Sequence, residues 1–454
     1  MKNLFKILTL IMVFMFTVNS SFAFSLGKLD KYIKKSELNE NAIVAISVKN
    51  LKDGSIVYEQ NAKTLLHPAS TLKIFTAYSS MHLLGSDYTF KTQLLKDDEN
   101  NLYIKLGADP LLTSSQLNQA FHKLKEDGNT KFNNIYFDDS ILDKKEFATG
   151  WMWDDDINPY TPKVSSYNLD GNILKVDMLK MDNGNILTEL KSNYPMSVIS
   201  NIDINNKKDY IEMNRYNWTN PEVVEIYASV VEPKSLNVPI SSMRRYFIHN
   251  IENAIDANSI KVSGSLYSSK LAPENTQVLA EITNPIAPVF PLILQNSNNL
   301  MSETIFKLAG SKKYNATGTS FHAVNAFNEF YKKNGISTDK ILVKDGSGVS
   351  RNNLVSVGWI TDSLVKLNKE KDFEKFKEKM AQPGDGTLSN RLFDLRGDAF
   401  LKTGSLSNVS AISGFVKSQD GNDYAVAIIV QNFMEEQTKV KKFEDDIIKL
   451  IYSK

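Results

Sequence analysis

The stretch His67-Pro68-Ala69-Ser70-Thr71-Leu72-Lys73 places a serine and a lysine three positions apart where an apolar run begins. Leu72, Phe75, Tyr78 and Met81 recur at helical spacing and Gly85 stops the pattern, so Ser70 to Leu84 is expected to be a helix. Residues i and i+3 share a helix face, which lets the Ser70 hydroxyl meet the Lys73 amine. A serine alcohol is a weak nucleophile and needs a neighbouring base. A lysine fills that role only when its pKa is lowered, as desolvation beside another cation does. The first turn of a helix also offers free backbone N–H groups where an oxyanion could form. The spacing alone is common, since Ser25/Lys28, Ser337/Lys340 and Ser363/Lys366 share it, and one such match ordinarily marks a solvated surface pair. Ser70 differs in opening an apolar helix just after Pro68.

Around this helix, a short helical lead (Lys28 to Leu38) precedes an alternating stretch, Ala42 to Lys49. Ser55 to Glu59 repeats the alternation beyond an Asp53-Gly54 turn, which reads as a β-hairpin. At the other end, Ala399 to Leu406, Ser410 to Val416 and Tyr424 to Gln431 read as strands. Glu435 to Tyr452 reads as an amphipathic helix through Val440, Phe443, Ile447, Ile448 and Ile451. Strands at both ends of a chain commonly share one sheet, with helices from the middle covering it. Between them lies a different texture, short strands rich in Asn, Asp and Lys with few long helical patterns. The expected organisation is a signal peptide at 1–23, a first domain in two parts at 24–87 and 276–454, and one or two inserted β-rich domains at 88–275.

The 454 residues, 42% of them hydrophobic, can bury a large core and make more than one domain. Fifty-three Lys and Arg against 52 Asp and Glu give no electrostatic reason to expect a nucleic-acid partner. Lys2 and Lys6, the apolar run Ile7 to Val18, and Ser21-Phe22-Ala23 make a secretory leader with cleavage after Ala23. The run falls short of the roughly 18 to 20 residues that span a bilayer, so no stable membrane span is expected after processing. With no cysteine, disulfides, Cys-liganded zinc and thiol catalysis are excluded. Five histidines without a His-Glu-x-x-His pattern argue against a zinc hydrolase.

Two further elements follow the helix. Ser297-Asn298-Asn299 precedes the apolar run Leu300 to Leu308 and offers a hydroxyl and an amide, although such a string is ordinarily a loop or helix cap. Lys402-Thr403-Gly404 occurs once in the chain, on an expected strand, where a glycine ordinarily lets another backbone approach closely. Ser-x-x-Lys, Ser-x-Asn and Lys-Thr-Gly in that order resemble the motifs of penicillin-binding proteins and serine β-lactamases. The 227 positions from Ser70 to Ser297 leave room for the inserted span and resemble the class C low-molecular-mass penicillin-binding proteins, the D-Ala-D-Ala carboxypeptidase/endopeptidase family. So do Gly107-Ala108-Asp109-Pro110, Gly150-Trp151-Met152-Trp153-Asp154-Asp155, Asp345-Gly346-Ser347-Gly348-Val349-Ser350-Arg351 and Asp385-Gly386-Thr387-Leu388. One departure is Asn298, where the family often has aspartate; it lies between the two functional positions.

The resemblance implies an α/β (α+β) fold: a serine transpeptidase/β-lactamase-like domain, with an antiparallel sheet covered by helices and the β-rich insertion. It implies that Ser70 attacks the penultimate D-alanine carbonyl while Lys73 accepts the proton. Backbone N–H groups of Ser70 and Ser405 form the oxyanion hole, Ser297 relays a proton to the leaving amine, and Asn299 holds the substrate amide. Lys402 and Thr403, with Gly404 beside them, bind the terminal carboxylate, and Lys402 helps lower the pKa of the base. Peptidoglycan peptides and β-lactams are the implied partners, with no metal or cofactor.

Arg351 either faces the stem peptide or sits on a structural turn. Asp154, Asp155 and Asp156 are read as a solvated acidic turn, Trp151 and Trp153 as core of the insertion, and His67 as a packing or capping residue. A class A β-lactamase is disfavoured because no Glu-x-x-Leu-Asn follows Asn299. An α/β-hydrolase esterase is disfavoured because Gly-x-Ser-x-Gly is absent. A non-catalytic wall-binding protein would have no need of the Ser70–Lys73 pair. The mature chain is expected to begin near Phe24, which intact-mass measurement of the exported protein checks. Membrane-embedded protein still starting at Met1 would contradict the cleavage.

Overall fold

Five strands, β1 (Ile43–Asn50), β2 (Ile56–Gln60), β3 (Ala399–Leu406), β4 (Val409–Lys417) and β5 (Asp423–Gln431), form one antiparallel sheet in the order β3-β4-β5-β1-β2. β1 and β5 come from opposite ends of the chain and pair from Ile43 opposite Gln431 to Asn50 opposite Tyr424. The computed structural model describes residues 27–181, 185–203, 208–216, 220–229 and 232–454, so the expected signal peptide at 1–23 lies outside the described residues.

Two helices pack on this sheet, α2 (Val357–Leu367) and α3 (Gln437–Tyr452), while α1 (Lys73–Leu84) follows a turn that meets β3 and β4. Val44, Ile46 and Val48 of β1 share a core with Val426, Ile428 and Val430 of β5 and with Val440, Phe443, Ile447 and Ile448 of α3. On the opposite face, Ser47 Oγ lies 2.7 Å from Thr361 Oγ1 of α2. β1 is thus buried on both sides, and its polar positions are paired rather than solvated. Lys49, for example, reaches Asp362 at 2.5 Å.

A 3₁₀ turn, Ala69–Leu72, leads into α1. Every residue from Thr71 to Ser80 is buried, so this helix is enclosed all round rather than amphipathic. Aromatic residues hold its first half: Phe75 lies 4.7 Å from Trp359, and Tyr78 lies 5.2 Å and 5.1 Å from Phe373 and Phe376, ring centre to ring centre. Tyr331 Oη also donates to the Phe75 carbonyl at 2.7 Å.

The chain divides into two compact units. One holds the described residues up to Tyr78, with Phe290–Ser297 and Asn328–Lys454; the other holds Ser79–Val289 and Asn298–Phe327. This division differs from the 88–275 span read in the sequence, because the helix Asn299–Tyr314 falls in the second unit. Among the described residues that unit has a five-stranded sheet in the spatial order Leu266–Ser269, Ile135–Asp138, Leu102–Lys105, Thr89–Lys96, Gln277–Pro285, two three-stranded sheets and one two-stranded sheet. The description as β-rich omits two helices, Ser114–Glu126 and Met243–Ala257. The first carries a capping box, Thr113 with Gln116, which was available in the sequence.

Beneath β4, the Arg391 guanidinium meets two carboxylates of α3, Asp445 at 2.8 Å and Glu444 at 3.0 Å. Asp445 also accepts from Arg391 Nε. Glu444 is fully buried, and burial pushes its carboxyl up to about 7 despite the guanidinium. A carboxyl raised in the folded state binds its proton more tightly there than in the unfolded chain. Its contribution is therefore complete below about pH 4.5 and is lost as pH rises through about 7. Wild-type stability should fall over that window by on the order of 3 kcal/mol from this group. Glu444→Gln should flatten the fall, as chemical denaturation at several pH values would show; an unchanged slope would contradict the assignment.

Candidate active site

Ser70 opens the buried helix, and the backbone just before it is strained: Ala69 has φ +46°. A non-glycine residue in that region costs roughly 1–2 kcal/mol and persists only when its surroundings impose it. Two glycines do so. A Cβ on Gly348 would lie 1.9 Å from the Ala69 carbonyl oxygen, and one on Gly404 would lie 2.8 Å from Ser70 N. Any side chain at either position would push the Ala69–Ser70 peptide out of place.

One turn along, Lys73 is fully buried, with Nζ 2.8 Å from Ser70 Oγ and donating to the Ser347 carbonyl at 2.6 Å. That carbonyl is held by a loop built on Asp345, whose buried carboxylate accepts from Gly348 N (2.9 Å), Ser350 N (2.7 Å), Asn353 Nδ2 (2.7 Å) and Ser347 Oγ (3.1 Å). The sequence motifs give Asp345 no role of its own, yet it is the hub of this loop. A carboxylate spaced among Gly, Ser and Asn was the available signal.

β3 runs alongside, with Lys402 opposite Ser413 and Ser405 opposite Ser410. Lys402 is fully buried and donates to the Thr403 carbonyl at 2.9 Å. Burial first, and then repulsion from Lys73, hold Lys402 well below the ordinary lysine range. Thr403 Oγ1 lies 2.7 Å from Thr387 Oγ1. Thr387 N in turn donates to the Gln295 carbonyl at 3.0 Å, where a Cβ on Gly386 would come within 2.3 Å of that oxygen. The Asp385-Gly386-Thr387 turn therefore ties the Lys-Thr-Gly strand to the segment ending at Ser297, which has φ +62°. β3 is an edge strand, and Ser405 is exposed upon it.

In the second unit, Asn299 is the first residue of its helix and Asn298 caps it, accepting from Met301 N at 2.9 Å. An aspartate would cap equally well, which explains why the departure there is tolerated. Asn299 Nδ2 donates to the Tyr160 carbonyl at 2.6 Å. In the first unit, Arg351 Nη1 donates to the Ser407 carbonyl at 3.1 Å. His67 makes backbone contacts, its Nδ1 lying 3.0 Å from the Asn353 carbonyl.

Two expectations are corrected. Trp153 is 82% exposed and not core, whereas Trp151 is half-buried against Phe147. The aspartates are not uniformly solvated either, because Asp156 is buried between Lys163 and Arg215. Among the described residues, no group of three or more His, Asp or Glu is arranged to hold a metal ion.

The chain is 24% identical to D-alanyl-D-alanine carboxypeptidase DacB of Haemophilus influenzae over 100% of both chains. It is 23% identical to a D-alanyl-D-alanine carboxypeptidase of Actinomadura sp. strain R39, covering 84% of this chain and 76% of that one. The crystal structure of penicillin binding protein 4 (dacB) from Haemophilus influenzae matches with a TM-score of 0.83 at 22% identity, covering 94% of this chain and 99% of that one. This likeness shows a shared fold, and that protein has also been crystallised with a β-lactam. Over residues 25–452 the sequence matches a family model, so the chain belongs to the D-Ala-D-Ala carboxypeptidase 3 (S13) family, a family of serine peptidases.

Proposed function

We propose that this chain is an exported DD-peptidase that trims terminal D-alanine from peptidoglycan stem peptides, cuts D-Ala-meso-diaminopimelate cross-links, and is acylated by β-lactams. The carrying observation is the 2.8 Å contact of Ser70 Oγ with the amine of the fully buried Lys73. A nucleophile and its base must stand within such reach for the proton to pass between them.

In this reading, Ser70 Oγ forms a bond to the carbonyl carbon of the penultimate D-alanine and gives its proton to Lys73. The oxyanion develops against the N–H groups of Ser70 and Ser405. Collapse breaks the peptide bond, and the proton reaches the leaving amine by way of Ser297. Water then cleaves the ester, releasing the shortened peptide and restoring the Ser70 hydroxyl. β3 ends its sheet, and beyond the bridge from Ala381 to Leu401 its Thr403–Ser405 end suits an extended peptide laid beside it. Because Lys402 is fully buried, its charge acts on the terminal carboxylate from behind the strand, leaving direct contact to Thr403 and Ser405. Arg351 takes a place near the stem peptide from its loop. The leader at 1–23 exports the chain, and the unit that carries Ser70, Lys73 and Lys402 supplies the nucleophile and its base.

Lys73→Arg should lose acylation by benzylpenicillin as completely as Lys73→Ala, by at least about a hundredfold, because arginine cannot release its proton. Lys402→Gln removes the cation behind the strand and should raise KM on a D-Ala-D-Ala peptide by at least about tenfold. Acylation rates and peptide KM values for the three variants check both points. Near wild-type acylation by Lys73→Arg, or an unchanged KM in Lys402→Gln, would contradict this reading.

A further inference from the structure

Within the unit that carries Lys402, residues 381–389 run beside β3. At one end Leu401 N donates to the Ala381 carbonyl at 2.9 Å, and further along Thr403 Oγ1 donates to Thr387 Oγ1 at 2.7 Å. The stretch is anchored on several sides. Leu388 is fully buried in the core that holds Leu401 of β3 and Ile412 of β4, and its N–H donates to the Asp385 carbonyl at 2.8 Å to close a tight turn. Arg396 donates to the Pro383 carbonyl at 2.9 Å and to Asp385 Oδ1 at 3.1 Å. That pairing compensates the Asp385 charge, so an anion brought to the turn does not meet a bare carboxylate.

Thr387 is exposed on this fixed turn, whereas its partner Thr403 is buried. A hydroxyl carries one hydrogen and two lone pairs. The bond between the two threonines uses the hydrogen of Thr403 and leaves that of Thr387 to turn outward. A carboxylate only accepts, so it needs donors. If Thr403 alone turned its hydrogen to the substrate, the bond to Thr387 would be lost on binding. A hydrogen given by Thr387 keeps that bond, and accepting from Thr403 makes Thr387 a stronger donor. Successive side chains of a strand alternate between faces, so Thr403 and Ser405 share one face of β3 and Lys402 points to the other. The exposed hydroxyls of Thr387 and Ser405 are then the groups offered on the Thr403 side of the strand.

We propose that Thr387 is a further substrate-binding residue, whose hydroxyl donates to the terminal carboxylate of the peptide at the outer end of the Thr403–Thr387 pair. The inference rests on the proposed function, in which that carboxylate is held at the Lys-Thr-Gly strand.

The mature, full-length protein tests it as wild type, Thr387→Val and Thr387→Ser, with thermal unfolding recorded for each. Acylation rates are measured with benzylpenicillin and with its methyl ester, which lacks the carboxylate charge, and kcat and KM are measured on a D-Ala-D-Ala peptide. Thr387→Val is expected to raise the peptide KM roughly tenfold with kcat little changed, because a hydrogen bond to a charged acceptor is lost. It should also narrow the preference for benzylpenicillin over the ester by about the same factor, since the bond matters only where the charge is present. Thr387→Ser keeps the hydroxyl and should stay within about twofold of wild type in both measurements. Thr387→Ala serves if Thr387→Val fails to fold. Equal slowing of acid and ester, an unaffected Thr387→Val, or a Thr387→Ser as impaired as Thr387→Val would overturn the inference while leaving the proposed function standing. Wild-type protein that takes no penicillin would instead remove the proposed function, and this inference with it.

Discussion

Two lysines buried within one unit, one against the Ser70 hydroxyl and one on the neighbouring strand, are the constraint on which the site depends. Water would keep such amines charged. Desolvation and repulsion from a second cation lower the cost of losing a proton, and the Lys402 shift shows both causes acting in that order. The buried α1, its aromatic supports and the five-stranded sheet keep water from these amines.

Holding the pair in register falls mostly to backbone packing. Gly348 and Gly404 let two other segments approach the Ala69–Ser70 peptide more closely than any side chain permits. Asp345 gathers the loop that presents the Ser347 carbonyl, and Thr387 ties Thr403 to the segment leading to Ser297. The strain at Ala69 is sustained by these contacts and aims the hydroxyl at the head of the helix. Sites assembled this way respond to small displacements, since reacting groups misplaced by about 1 Å lose rate by orders of magnitude.

Much of this was legible in the sequence. Strand β3 has the bounds read from it, and β4, β5 and α1 agree to within a few residues, because β alternation, helical spacing and Gly85 are local signals. The Ser70–Lys73 proximity follows from helical geometry alone. Less could be seen where distant segments meet. The burial of Lys49 and Lys402 depends on what covers the second face of the sheet, which no pattern within a strand reveals. Trp153 looked like core because tryptophan usually is, yet it stands exposed beside a segment tied down through Asp156. The two helices of the insertion were obscured by their polar composition, although the Thr113–Gln116 box was present.

The account centres on one covalent event, acylation of Ser70 by way of Lys73. Intact-protein mass spectrometry after incubation with benzylpenicillin, followed by peptide mapping, tests it most directly. The account predicts a single adduct with the mass of the opened antibiotic, carried by the peptide that contains Ser70 and absent from Ser70→Ala. An adduct on another serine, or one that persists in Ser70→Ala, would contradict it.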